Sequence, residues 1–391
     1  MDPRSGKPRI LSRIGAGRPI PGFTGIAISS HESTQARDRD MTHKSNFGNF
    51  FEDFRLGQII RHATPRTITY GDVALYTAIF GSRFAVQSSS AFARAIGYAA
   101  APVDDLLVFH IVFGKTVPDI SLNAIANLGY ADCRFHASVT VGTTLSTVSE
   151  IIGLKENSSH QTGVVYVRST GSDEAGRVVL DYVRWVMVKK RDGHANVVDA
   201  HVPHLPSVVS VETLGASLPP IDVAAWDFDL SGAPHRYGDY AIGERIDHVD
   251  GMTVEEAEHQ IATRLYHNTA KVHFNQWAEG QGRFGRRLVY GGHVISLARA
   301  LSFNGLANAF HIAAINAGRH VAPLFAGKTV FAWSQILDMA PLAGRDDVGA
   351  LRIRTIATAD RPTHDFPDRL PNGDYEDGVI LDLDYWVMMP R

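Results

Sequence analysis

The stretch from Leu265 to His293 gathers the side chains in this chain best suited to moving a proton and holding a developing anion. It reads Leu265-Tyr266-His267-Asn268-Thr269-Ala270-Lys271-Val272-His273 and, after a polar interval, Arg283-Phe284-Gly285-Arg286-Arg287-Leu288-Val289-Tyr290-Gly291-Gly292-His293. An imidazole titrates near pH 6.5, so His273 can take a proton from water and give it back. An amide such as Asn268 can orient a water but cannot accept its proton at neutral pH. Gly291-Gly292 opens an apolar run that predicts a helix, whose free first-turn N–H groups favour negative charge and whose glycines leave room for close approach. Each residue also has a plainer role: a hydrogen-bonded histidine near a helix end, an Asn turn or cap, a loop-to-helix glycine pair.

Two other chemistries are suggested and then fail. Gly280-Gln281-Gly282-Arg283-Phe284-Gly285 has dinucleotide-loop spacing, but it follows a polar helical stretch instead of a strand and no βαβ unit surrounds it. His259, His267, His273 and His293 lack metalloprotease spacing and any neighbouring cysteine, so no metal or redox cofactor is expected. The net charge of −3 provides no field for nucleic acid or an anionic membrane, and no apolar run reaches the ~20 residues that span a bilayer. A single cysteine, Cys133, excludes an intrachain disulfide and suits a reducing cytoplasm.

The elements that position these residues occur twice. Asp53-Phe54-Arg55-Leu56-Gly57-Gln58 is answered by Asp239-Tyr240-Ala241-Ile242-Gly243-Glu244, with an Ile and a His following each. Val179-Leu180-Asp181-Tyr182-Val183-Arg184-Trp185-Val186-Met187 is answered by Ile380-Leu381-Asp382-Leu383-Asp384-Tyr385-Trp386-Val387-Met388. The same order at both ends implies one domain duplicated. Capping-box pairs Thr69/Asp72 and Thr253/Glu256 predict paired helix starts, followed by apolar segments 73–80 and 257–266. Buried helices are expected at about 102–113 and 292–306. Strands are expected at 137–152, 163–169 and 177–188, then at 329–337, 350–357 and 378–389. A helix buried against a curved antiparallel sheet is an α+β arrangement. The organisation read from this is an extension at 1–45, a first copy at 46–195, a Pro-containing linker at 196–225 and a second copy at 226–391. The Gly-, Pro-, Ser- and Arg-rich extension reads as disordered, or as codons upstream of a true start at Met41.

The Asn268-to-His273 pattern resembles the R-specific enoyl-CoA hydratase family, the MaoC-like dehydratases, in which an acid stands five residues before a histidine. From about Asn46 onward the chain more narrowly resembles the mesaconyl-CoA hydratase (β-methylmalyl-CoA dehydratase) family, notably through Gly114-Lys115-Thr116-Val117-Pro118-Asp119-Ile120 and Leu180-Asp181-Tyr182-Val183-Arg184-Trp185-Val186-Met187. The resemblance implies a tandem hot-dog fold and a reaction in which acid and His hold one water beside an enoyl-thioester double bond. A glycine amide at the buried helix start polarises the thioester carbonyl. Carried over, the histidine is His273 and the amide belongs to Gly291 or Gly292. The acid position holds Asn268, a departure that leaves His273 as the main general base.

Alignment from the two starts puts Ser82 opposite Asn268, Gln87 opposite His273 and Asp105 opposite Gly291, at the same spacings of five and eighteen residues. The first copy therefore lacks the base and carries a carboxylate where an anion would form, which predicts one active site, in the second copy, with the first copy kept for packing and for holding coenzyme A or the acyl tail. The implied substrate is a carboxylated enoyl-CoA such as mesaconyl-C1-CoA, with coenzyme A as part of the substrate. Arg83, Lys271, Arg286 and Arg287 are the cations near the motifs that could hold its carboxylate. Alternatives are an R-specific hydratase of ordinary enoyl-CoA, an acyl-CoA thioesterase and a non-catalytic acyl-CoA binding module. Family resemblance also implies a homodimer.

Overall fold

The computed structural model describes residues 44–193, 200–215 and 218–391, and Phe47–Arg391 form one folded unit. The expected extension falls almost wholly outside the described residues. One antiparallel sheet of ten strands runs through the unit. In chain order the strands are β1 (Ile59–Thr67), β2 (Ala124–Phe135), β3 (Thr144–Glu156), β4 (Thr162–Ser172) and β5 (Val178–Lys189), then β6 (Arg245–Thr253), β7 (His311–His320), β8 (Thr329–Pro341), β9 (Val348–Ala359) and β10 (Val379–Pro390). The order across the sheet, β1-β3-β4-β5-β2-β7-β10-β9-β8-β6, is symmetric about the β2–β7 seam, where Tyr130 faces Gly318 and Arg134 faces Ala314. The duplicated sequence is thus a tandem hot-dog fold whose halves share a sheet.

β2 and β7, the two strands at the centre, carry no clear strand signal. β7 reads HIAAINAGRH and β2 is interrupted by Gly129 and by Asp132 at φ 47°. Alanine and glycine have low strand propensity, so it is the flanking partners β5 and β10 that hold these segments extended. The predicted strand 137–152 begins only at Thr144.

Four helices matter for the site: α1 (Tyr70–Phe80), α2 (Asp105–Thr116), α3 (Glu256–Leu265) and α4 (Gly291–Leu301). α1 starts as predicted: Thr69 Oγ1 accepts from the Asp72 N–H at 3.2 Å and the Asp72 carboxylate accepts from the Thr69 N–H at 2.8 Å. α3 does not start at Thr253. That residue ends β6 with its hydroxyl 2.8 Å from that of Thr329, and the box is made instead by Glu255 and Glu258. α2 begins at Asp105 and not Pro102. α4 stops at Leu301 because Asn304 (ψ 102°) and Gly305 (φ 102°) break the helix predicted to reach 306. The His248 ring stabilises that kink, with Nδ1 2.7 Å from the Asn304 carbonyl oxygen. Its Nε2 lies 2.8 Å from Ser334 Oγ, and the counterpart His62 places Nε2 2.7 Å from Ser149 Oγ, so the repeated histidine is structural.

α2 is buried along nearly its whole length and α4 likewise, and one apolar core containing Phe109, Phe113, Tyr290, Val294 and Leu297 runs through both copies. The two helices touch at His110, whose Nε2 lies 2.9 Å from Ser296 Oγ. The predicted linker is more than a connector where it is described. His201 bridges to Leu154, while Val209, Leu214 and Ile221 are buried with Phe92, Trp226, Phe310 and Trp386. The linker's apolar residues pack it onto the sheet.

Candidate active site

A cavity of about 300 Å³ lies between the copies, lined by Asn268, His273 and Gly291 of the second and by Phe113, Asn127, Tyr130 and Arg184 of the first. His273 ends the short turn Lys271–His273 that follows α3. Its Nδ1 is 3.0 Å from the Leu288 carbonyl oxygen. A carbonyl only accepts, so Nδ1 carries the proton and Nε2 keeps a bare lone pair. Burial of the ring lowers its pKa to about 4, against the smaller opposing effect of the Leu288 bond. The imidazole is therefore neutral at pH 7 and able to act as a base. The Tyr290 ring packs on it with centroids 5.5 Å apart.

Asn268 is 4% exposed, and its Oδ1 accepts from the Ala270 N–H at 3.0 Å. That bond commits the oxygen and leaves the amide NH₂ as the group available to the cavity. The backbone before it rests on the first copy: a Cβ on Gly114 of α2 would stand 1.8 Å from the Tyr266 carbonyl oxygen and 3.3 Å from the Asn268 nitrogen. A glycine there is what lets α2 support the Asn268 loop.

Gly291 and Gly292 open α4, but only Gly291 lines the cavity. A Cβ on Gly291 would fall 2.3 Å from His320 Nε2, and one on Gly292 2.5 Å from His110 Cε1. The start of α4 has no side-chain cap, because Tyr290 occupies the cap position. At the matching start of α2, Asp104 caps the Leu106 N–H at 2.9 Å. The first turn of α4 thus keeps donors that the first copy satisfies internally.

The residues of the first copy that match the site serve as ties. Gln87 Nε2 donates to the Phe310 carbonyl at 2.6 Å, and Asp105 accepts from the Ile312 N–H at 2.8 Å with His311 Nδ1 2.9 Å away. Ser82 Oγ lies 3.4 Å from Asp104. The Gln87 and Asp105 ties hold β7 at its entry to the shared sheet.

None of the four cations expected to meet a substrate carboxylate lines the cavity. Arg83 stacks 4.5 Å above the Phe303 ring, Arg287 pairs with Glu256, Arg286 donates to the Ala326 carbonyl at 2.7 Å, and Lys271 is exposed. Proximity in sequence did not carry them into the pocket: each is exposed or engaged by a partner outside it. The cation that does line it is Arg184, from β5 of the other copy. His320 at the end of β7 is a further imidazole in the wall, its Nε2 3.3 Å from the Tyr130 hydroxyl and its pKa lowered to about 4 by burial and then by His273. In the sequence Arg184 stands within the closing-strand phrase that repeats and carries the family resemblance, with no binding role assigned; its replacement by Tyr385 in the second copy is the signal that could have singled it out, and His320 carries none. Among the described residues no cluster of three or more metal-ligating side chains occurs. Nor is any helix among them long and apolar enough to cross a membrane.

Comparison with known proteins agrees with this architecture. The family model for mesaconyl-CoA hydratase matches residues 29–366. A β-methylmalyl-CoA dehydratase of Chloroflexus aurantiacus is 62% identical over 353 residues, covering 90% of this chain and 99% of that one. A mesaconyl-CoA hydratase of Cereibacter sphaeroides is 56% identical over 350 residues, covering 89% and 100%. A solved Chloroflexus aurantiacus structure, described as a MaoC domain dehydratase, superposes with a TM-score of 0.87 at 61% identity, covering 90% and 99%. A Mycobacterium tuberculosis protein with a double hotdog fold gives 0.66 at 26% identity, covering 88% and 99%. The chain belongs to the mesaconyl-CoA hydratase family.

Proposed function

We propose that the protein catalyses the reversible hydration of a carboxylated enoyl-CoA thioester, mesaconyl-C1-CoA plus water giving β-methylmalyl-CoA. The observation that carries the reading is a neutral His273 with a bare Nε2 sharing a cavity with Asn268 and with the uncapped start of α4. The names of the relatives agree with it.

In hydration, water sits between His273 Nε2 and the Asn268 amide. Nε2 takes one proton, the oxygen bonds to the β-carbon, and the π electrons move onto the thioester oxygen. The Gly291 N–H, supported by the Gly292 N–H, stabilises that enolate; such donors are typically worth about 3 kcal/mol of barrier. The imidazolium then delivers a proton to the α-carbon, a transfer favoured by the same burial that lowers its pKa. In dehydration the steps reverse, with Asn268 holding the departing hydroxyl. The residues use no metal or redox group in this scheme, and coenzyme A is part of the substrate.

The test is loss of the conjugated enoyl-thioester absorbance on mixing mesaconyl-C1-CoA with wild type and with His273→Ala, with the product mass measured. Gain of one water with wild type alone is expected. Release of free thiol would point to a thioesterase, and binding without turnover to a silent acyl-CoA module. The same reading includes a cytoplasmic homodimer, which sedimentation of the purified protein checks.

A further inference from the structure

A guanidinium from the first copy faces the cavity in which the second copy's chemistry is placed. Arg184 is 1% exposed, and no carboxylate among the described residues forms an ion pair with it. Its Nη2 donates to Thr116 Oγ1 at 2.7 Å and to Ser121 Oγ at 3.3 Å, its Cζ lies 4.3 Å from the Phe113 ring centroid, and its Nε has no partner. All of these contacts are neutral. A buried cation without a counter-ion is costly, by several kcal/mol even after relaxation.

The neighbouring groups are also unsatisfied. Asn127 stands opposite Val186 in the β2–β5 ladder, and Val186 shares a sheet face with Arg184 two residues before it. Both polar atoms of the Asn127 side chain are buried without a hydrogen-bond partner. Arg184, Val186 and Asn127 line the cavity that holds His273. Phe113 and Tyr290 connect the two ends, with ring centroids 5.6 Å apart.

The duplication shows that the fold does not require a cation here. The residue matching Arg184 is Tyr385, which is 1% exposed, with its hydroxyl 3.0 Å from Thr355 Oγ1. A neutral side chain fills the equivalent position of the same sheet, so the charge in the first copy answers a different need.

We propose that Arg184, assisted by Asn127, receives the free carboxylate of the substrate, so that the first copy selects what the second copy hydrates. The inference rests on the hydratase reading above. In mesaconyl-C1-CoA the carboxylate is bonded to the β-carbon that takes the hydroxyl, so its receptor must border the water site. A fork of N–H donors suits a carboxylate geometrically. Neutralising that carboxylate also lowers its repulsion of the incoming hydroxide.

The experiment compares kcat/KM on mesaconyl-C1-CoA with kcat/KM on 2-methylcrotonyl-CoA, the same acyl skeleton with methyl in place of carboxylate. Wild type, Arg184→Met and Asn127→Leu are assayed as full chains. The ratio of the two values is expected to fall about 100-fold in Arg184→Met and about 10-fold in Asn127→Leu. Should Arg184→Met not fold, Arg184→Lys and Asn127→Leu read the same ratio, because a point charge cannot reproduce the fork. A ratio unchanged in the folded variants, whether both activities fall or neither does, overturns the inference while leaving the hydratase reading intact. A wild type that hydrates neither substrate overturns that reading, and this inference with it.

Discussion

The pH dependence of kcat/KM is the most demanding test of His273, because burial and ordinary chemistry predict different acid limbs. An exposed histidine titrates near 6.5, whereas burial moves His273 to about 4. At pH 5 a group with the ordinary value would be only about 3% neutral, while one near 4 would be about 90% neutral. The expected profile is therefore flat from pH 8 to about 5, with a midpoint near 4. kcat/KM reports the free enzyme, where the ring is buried as described. The assay follows enoyl-thioester absorbance in initial rates, each point checked by returning the enzyme to pH 7 to separate titration from inactivation. His273→Ala removes the base and is expected to lower kcat by about 10²- to 10⁴-fold across this range. An acid limb near 6.5 would show that the working histidine is solvated. A variant within tenfold of wild type would show that His273 is not the base.

Three further outcomes follow from the same geometry. Gly291→Ala keeps the backbone N–H but places a methyl 2.3 Å from the His320 ring and in the path to the helix start, so kcat is expected to fall about 100-fold or more with a stability loss of about 1–3 kcal/mol; unchanged kcat would show that the thioester oxygen does not need close approach at this glycine. Gly114→Ala lies outside the cavity-lining set but would meet the Tyr266 carbonyl oxygen at 1.8 Å, displacing the Asn268 loop, and is expected to lose both activity and about 1–3 kcal/mol of stability despite alanine's better helix propensity. Burial lowers the pKa of His110 and His293 to about 3 and of His248 and His320 to about 4, so the unfolded chain binds more protons than the folded one below about pH 6.5. The stability they contribute is complete above that pH and is lost as pH falls toward 3–4. Urea midpoints from pH 8 to 4.5 are expected to hold and then decline, and a constant midpoint down to 4.5 would contradict the burial of these rings.

What the sequence determined by itself is whatever depends on local spacing and on self-comparison. The duplication was legible because both ends of each copy repeat, and the α1 cap because Thr69 and Asp72 are three residues apart on one turn. The pairing of Asp105 with Gly291 was likewise legible, and both residues open the buried helices of their copies. The decisions left to tertiary structure concern contacts between residues far apart in the chain. β2 and β7 are strands because neighbours supply their hydrogen bonds, against the propensity of their alanines and glycines. Thr253 matches a cap pattern, yet its hydroxyl is engaged by Thr329 across the ladder. The cations beside His273 in sequence turn away, and a guanidinium nearly ninety residues earlier turns in, because β5 of the first copy forms the far wall of the second copy's cavity. A cavity built between two copies takes its lining from both, and no window of sequence contains that surface.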